Sequence, residues 1–185
     1  MMMDTAHHDD RWRTGWLRKV MWSGAAALLG LPAVAMRFTD EVRWTSADFV
    51  FAAVLLFGAA GLIELAMRAS SNLAYRAGAV AGVGASVLTI WADAAVGMIG
   101  PEGNPYNGWF LGVVAIAWGG AALARFRARG TATAMVLAAV AQLGASIGGM
   151  ASDPRGAALS ACFAAAWLVA AALFLNAARQ RGQHA

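Results

Sequence analysis

The sequence predicts an all-α fold, a polytopic membrane bundle of six transmembrane helices, and three observations predict it. Hydrophobic residues make up 60% of the 185 and charged residues only 13%, far from the balance of a soluble domain. The apolar residues gather into six blocks free of Lys and Arg, each close to the roughly 20 residues that cross a hydrocarbon core of about 30 Å. The cations alternate between connections: Arg11, Arg13, Arg18, Lys19, Arg68, Arg76, Arg125, Arg127, Arg129, Arg179 and Arg181 against Arg37, Arg43 and Arg155, or 11 to 3. The positive-inside rule then places both termini in the cytoplasm, with connections one, three and five outside. Topology accounts for the net charge of +4, so no nucleic-acid partner is expected.

Residues 1–19 form a polar lead in which Trp12, Trp16 and several cations mix, a pattern suited to lipid headgroups, with a lipid-sensing or docking arm as the alternative. His7 and His8 are adjacent rather than spaced on one helical face, and no metal role is read into them. The bundle proper covers 20–178, with spans Val20–Met36, Phe49–Met67, Ala77–Ile99, Gly108–Ala124, Ala132–Met150 and Ala157–Ala178, and a cytoplasmic tail covers 179–185. The first span has a second reading. Leu31 to Ala35 resembles a signal-peptidase site, and cleavage there leaves five spans; the long lead with Asp4, Asp9 and Asp10 favours an uncleaved anchor.

Short connections argue for neighbouring antiparallel helices. Thr45-Ser46-Ala47-Asp48 reads as a capping box opening the second span. Pro101 to Asn107 and Ser152 to Gly156 are turn sequences. Met36, Met98 and Met150 stand at comparable points of three successive hairpins, a faint internal symmetry that alternating topology produces in large part by itself. Cys162, the single cysteine, excludes an internal disulfide and reads as packing in the sixth span.

The third span carries the strongest signal. Gly78, Gly82, Ser86, Thr89, Asp93, Gly97 and Gly100 recur at steps of three and four, so one small or polar face should point into the bundle. Gly78/Gly82, Gly108/Gly112 and Gly144/Gly148 are G-x-x-x-G pairs that suggest close helix crossings. If the helix ends near Gly100, Asp93 lies about 10 Å inside it. The cost of about 2.5–3.5 kcal/mol for an aspartate at mid-membrane is then an upper figure. Gln142 on the fifth span stands at similar depth, with Ser146 one turn away. Thr89, Asp93, Gln142 and Ser146 therefore form a candidate polar or ion pathway, against which stands a role in fixing helix register. Glu64 and Arg68 are an i,i+4 pair on the second span, a candidate structural salt bridge.

Absences narrow the function. His7, His8 and His184 lie outside the spans, leaving no intramembrane imidazole for haem, zinc or a serine–histidine dyad. Lys19 is the one lysine, Asp93 has no intramembrane aspartate partner, and no nucleotide-binding glycine loop occurs. No enzyme activity, cofactor or metal is expected.

Met36, Phe38-Thr39, Glu41-Val42, Trp44, Asp48-Phe49, Tyr75-Arg76, Ala95-Val96-Gly97, Ile99-Gly100, Glu102 and Asn104-Pro105 resemble the corresponding residues of small multi-span integral membrane proteins of proteobacteria, an uncharacterised group. The resemblance covers roughly residues 20 to 150 and implies a bacterial membrane protein without importing an activity. Two functions stay open. One is an interaction or accessory subunit whose partners are the lipid bilayer and further copies or a larger membrane complex. The other is a small proton- or cation-linked carrier or channel around Asp93.

Overall fold

The computed structural model describes the backbone of residues 5–183 and the side chains of 15, 16 and 18–183. The expectations for Trp12, His7, His8 and His184 fall on side chains outside that range. Six helices follow in order, with no strand among the described residues: α1 Thr5–Ala35, α2 Ser46–Ala69, α3 Leu73–Val96, α4 Gly108–Leu123, α5 Ala128–Gly149 and α6 Pro154–Gly182. Five spans are long and apolar enough to cross a membrane: α2, α3, α4 together with the 3-10 turn Pro105–Asn107 that leads into it, α5 and α6. The all-α membrane architecture read from the sequence is therefore the architecture found. The chain divides into two compact units, Met1–Glu64 and Leu65–Ala185.

In the first unit, α1 runs without interruption through residues 19 and 20, so the boundary between polar lead and first span is a change of composition rather than of conformation. Pro32 sits in its last turn, where its carbonyl still accepts from the Met36 N–H at 2.9 Å. The Thr45 hydroxyl and N–H both donate to Asp48 Oδ2, at 2.8 and 2.7 Å. The Asp48 N–H returns to Thr45 Oγ1 at 3.4 Å, which completes the expected capping box and gives orphan first-turn donors an acceptor. Trp22 stacks on Phe57 with centroids 5.9 Å apart, tying α1 to α2.

The second unit closes four helices into a ring: α3 lies against α4 and α6, and α5 against α4 and α6. Its interior is mostly alanine, with Trp167, Phe174, Tyr75, Met135 and Val113 as the large side chains. Between membrane helices association rests on van der Waals fit rather than on exclusion of water, and small residues bring backbones close. A Cβ at Gly78 would lie 3.1 Å from the Phe174 ring, and one at Gly120 2.8 Å from Ala134 Cβ. Gly130 abuts Ala124 still more closely. The α4–α5 crossing is thus made by Gly120 and Gly130. Gly108, Gly112 and Gly144 face open space, whereas Gly148 abuts the Tyr106 hydroxyl, so the Gly108/Gly112 pair makes no internal crossing and the Gly144/Gly148 pair makes a close approach at Gly148 alone.

The two ends of this ring differ. At one, α3 stops at Val96, three residues short of the expected Ile99, because Gly97 takes φ +79° and turns the chain. Met98 and Ile99 then dip between the helix ends and pack with Phe110 and Ala157. The three hairpin methionines are not equivalent, since Met98 is buried while Met36 and Met150 are exposed. At the other end, Asn72 caps α3 by accepting from the Tyr75 N–H at 2.9 Å and donates to Gln180 Oε1 at 2.8 Å. Arg76 donates to the carbonyls of Ser70 and Met67, at 2.6 and 2.9 Å. The first follows just past the end of α2, and the second is a last-turn acceptor with no partner inside the helix.

Candidate functional site

The polar seam of α3 points into the ring through its middle, as its spacing requires. Gly78, Gly82, Ser86 and Thr89 are buried. Ser86 Oγ donates to the Gly82 carbonyl at 2.8 Å and accepts the Trp118 Nε1–H of α4 at 2.7 Å. Beyond it the seam loses its partners: Thr89 Oγ1 and Asp93 Oδ1 are buried with no hydrogen bond. With α3 ending at Val96, Asp93 lies three residues from the helix end, about 4.5 Å at the helical rise, rather than about 10 Å. Its main-chain carbonyl accepts the Gly97 N–H at 3.1 Å.

Gln142 and Ser146 are also buried, on α5, but they turn to α6. Gln142 Nε2 donates to the Ser160 carbonyl at 2.9 Å, and Ser146 Oγ lies 2.7 Å from Ser160 Oγ. Ser146 Oγ also donates to the Gln142 carbonyl at 2.8 Å. Ser160 completes this cluster and was not singled out from sequence. The available signal was its place at a three-and-four step with Ala157, Ala164 and Trp167 on the buried face of α6. Among the described residues no hydrogen bond joins Asp93 to Gln142 or Ser146. The four candidate residues thus form a bonded serine–glutamine cluster on α5 and α6, and an unbonded Thr89 and Asp93 on α3. Gln142 Oε1, Thr131 Oγ1 and Trp167 Nε1 are further buried polar atoms without partners.

Chain reversal closes the bundle beside this cluster. Ile99 is 0% exposed, and its N–H donates to Asn107 Oδ1 at 2.8 Å while its carbonyl accepts from Asn104 Nδ2 at 2.8 Å. The Tyr106 hydroxyl donates to the Ala145 carbonyl at 2.8 Å. Asp153 bridges two connections by accepting the Gly100 N–H and the Gly156 N–H, each at 2.9 Å. Those N–H donors, Gly156 first and Gly100 next, with Arg155 adding to them, hold its carboxyl below the usual carboxylate range.

No family model, curated protein or solved structure matches this chain. Among the described residues no three His, Cys, Asp or Glu side chains gather as a metal site. Cys162 is exposed on α6 rather than packed inside, with its thiol 3.5 Å from the Ala158 carbonyl. Glu64, set one turn before Arg68 on α2, also reaches α1. It accepts the Trp22 Nε1–H at 2.8 Å and lies 3.8 Å from Arg18 Nη1.

Proposed function

We propose that the chain is an interaction or accessory subunit of a bacterial cytoplasmic membrane, assembling with further copies or within a larger complex and carrying no catalytic centre. The observation that carries this reading is the outer face of α4. Gly108, Ala115, Gly119 and Ala122 are exposed and Gly112 half-exposed, at steps of four and three along one side. Nothing lies within 4 Å of where a Cβ would stand at Gly108, Gly112 or Gly119. Facing lipid, such a surface gains little; facing another helix, it allows the backbone approach on which membrane association depends. The cation bias between connections supports cytoplasmic termini, and the resemblance to small proteobacterial membrane proteins supports a bacterial source.

The test is purification from native membranes in mild detergent, with mass determination of the intact assembly and mass spectrometry of stoichiometric partners, for the wild type and Gly112→Leu. Assembly that the leucine abolishes without unfolding the chain is the expected result. A monomer without partners overturns the reading. A carrier or channel is the second reading, favoured by the partnerless oxygens of Thr89, Asp93 and Gln142. It requires proton or cation flux in proteoliposomes that Asp93→Asn removes.

A further inference from the structure

The turn between α4 and α5 carries a cationic cavity with no internal use. Arg125, Arg127 and Arg129, with Leu123, Ala124, Gly130 and Thr133, line a shallow cavity of about 470 Å³ that is largely open to solvent. Among the described residues, none of the three guanidinium groups is engaged by an ion pair or hydrogen bond. Arg125 and Phe126 take φ +52° and +54°, a left-handed pair that L-residues adopt only under constraint. Two bonds supply the constraint: the Phe126 N–H to the Ala121 carbonyl at 2.8 Å, and the Tyr75 hydroxyl to the Phe126 carbonyl at 2.9 Å. The reversal gathers three positive charges spread over five residues around one cavity. Arg127 provides no side-chain cap for α5, so the first-turn N–H groups of that helix add to the positive potential where Arg129 and Gly130 line the cavity.

Its surroundings are apolar. Leu123 is 89% exposed and Phe126 50%, both beside the arginines at the end of helices that cross the membrane. Guanidinium groups match phosphate oxygens in geometry and charge, and a phosphate carried on acyl chains would also cover Leu123 and Phe126, as a free phosphate would not. We propose that this cavity binds the phosphate headgroup of an anionic phospholipid, with its acyl chains running along Leu123 and Phe126. The site is independent of whether α4 carries a partner.

The experiment places the full chain in nanodiscs of phosphatidylcholine containing a minor share of phosphatidylglycerol and measures lipid retention by native mass spectrometry. Hydrogen exchange of the amides of 124–131 is followed alongside. The wild type should retain phosphatidylglycerol in preference to phosphatidylcholine and protect those amides as its share rises. Arg125→Gln and Arg129→Gln should each weaken retention about fivefold. Arg179→Gln, which removes an equal charge from the same end of the bundle, should leave retention unchanged. Equal loss in Arg179→Gln would reduce the effect to general surface charge and overturn the site. So would a wild type without lipid preference, a readout that needs no variant to fold. Inorganic phosphate in pure phosphatidylcholine nanodiscs should not protect the amides; protection equal to that given by phosphatidylglycerol would make this a free-anion site and overturn the lipid assignment.

Discussion

Gln142 donates across the α5–α6 crossing to the Ser160 carbonyl at 2.9 Å, while its own Oε1 is buried with no donor facing it. The side chain therefore gains one interhelical bond and leaves one polar atom unsatisfied. Such bonds in membrane bundles average about 0.6 kcal/mol, and a buried unpaired acceptor costs at least as much. Gln142→Leu should thus change stability by less than about 1 kcal/mol, whereas Gln142→Ala, which leaves a cavity, should cost about 2 kcal/mol or more. Reversible unfolding in mixed detergent measures both. If leucine proves as damaging as alanine, Oε1 has a partner that matters, and the unsatisfied acceptor at Gln142 is refuted.

The Ile99 closure depends on backbone that tolerates no side chain. A Cβ at Gly149 would stand 2.7 Å from Ile99 Cδ1, and one at Gly97 2.6 Å from the Gly100 carbonyl, at φ +79°. Gly149→Ala and Gly97→Ala should each cost about 1–3 kcal/mol. Gly112→Ala, in open space on α4, should match or exceed wild-type stability by up to about 1 kcal/mol through helix propensity. Thermal unfolding of the three variants tests the contrast, and a uniform response would refute the close approach at Ile99.

The helices were legible because composition alone marks a membrane span, and the α3 seam because its steps of three and four can only be one face. The end of α3 was not. Gly97 and Gly100 continue the same spacing as Gly78 and Gly82, and a repeat of small residues does not say whether glycine is there for a crossing or for positive φ. For the same reason Gly108/Gly112 read like Gly78/Gly82, although one pair faces open space and the other meets Phe174, Met135 and Trp118. Neighbour identity decides, and sequence spacing does not contain it. Ser160 carries no signal of its own in the sequence, because a serine among alanines has no period. Its role depends on Gln142 and Ser146 arriving from another helix.

Trp118 and Ser86 couple α4 to α3 through a 2.7 Å bond from the indole N–H. Trp118→Phe and Ser86→Ala should each destabilise the bundle by about 1 kcal/mol. The double variant should fall short of the sum by about 0.5–1 kcal/mol, the signature of a shared interaction. A double-mutant cycle on unfolding free energies gives the coupling directly, and strict additivity would deny the bond any energetic role.

Asp153 gives the fold a dependence on acid. Its carboxylate accepts from Gly156 and Gly100, which lowers its folded pKa beneath the usual value of 3.8. The native state therefore binds the proton less readily than the unfolded chain. The stabilisation is complete above the unfolded pKa of about 3.9 and is lost as pH falls through the lower folded value. Asp153→Asn keeps one acceptor but no charge, so it should unfold at lower temperature than the wild type near neutral pH. The gap should narrow as pH drops below about 4. Melting curves of both proteins between neutral and strongly acidic pH settle the matter, because a gap that stays constant with pH would mean that the carboxylate's charge does not hold the α3–α4 and α5–α6 connections together.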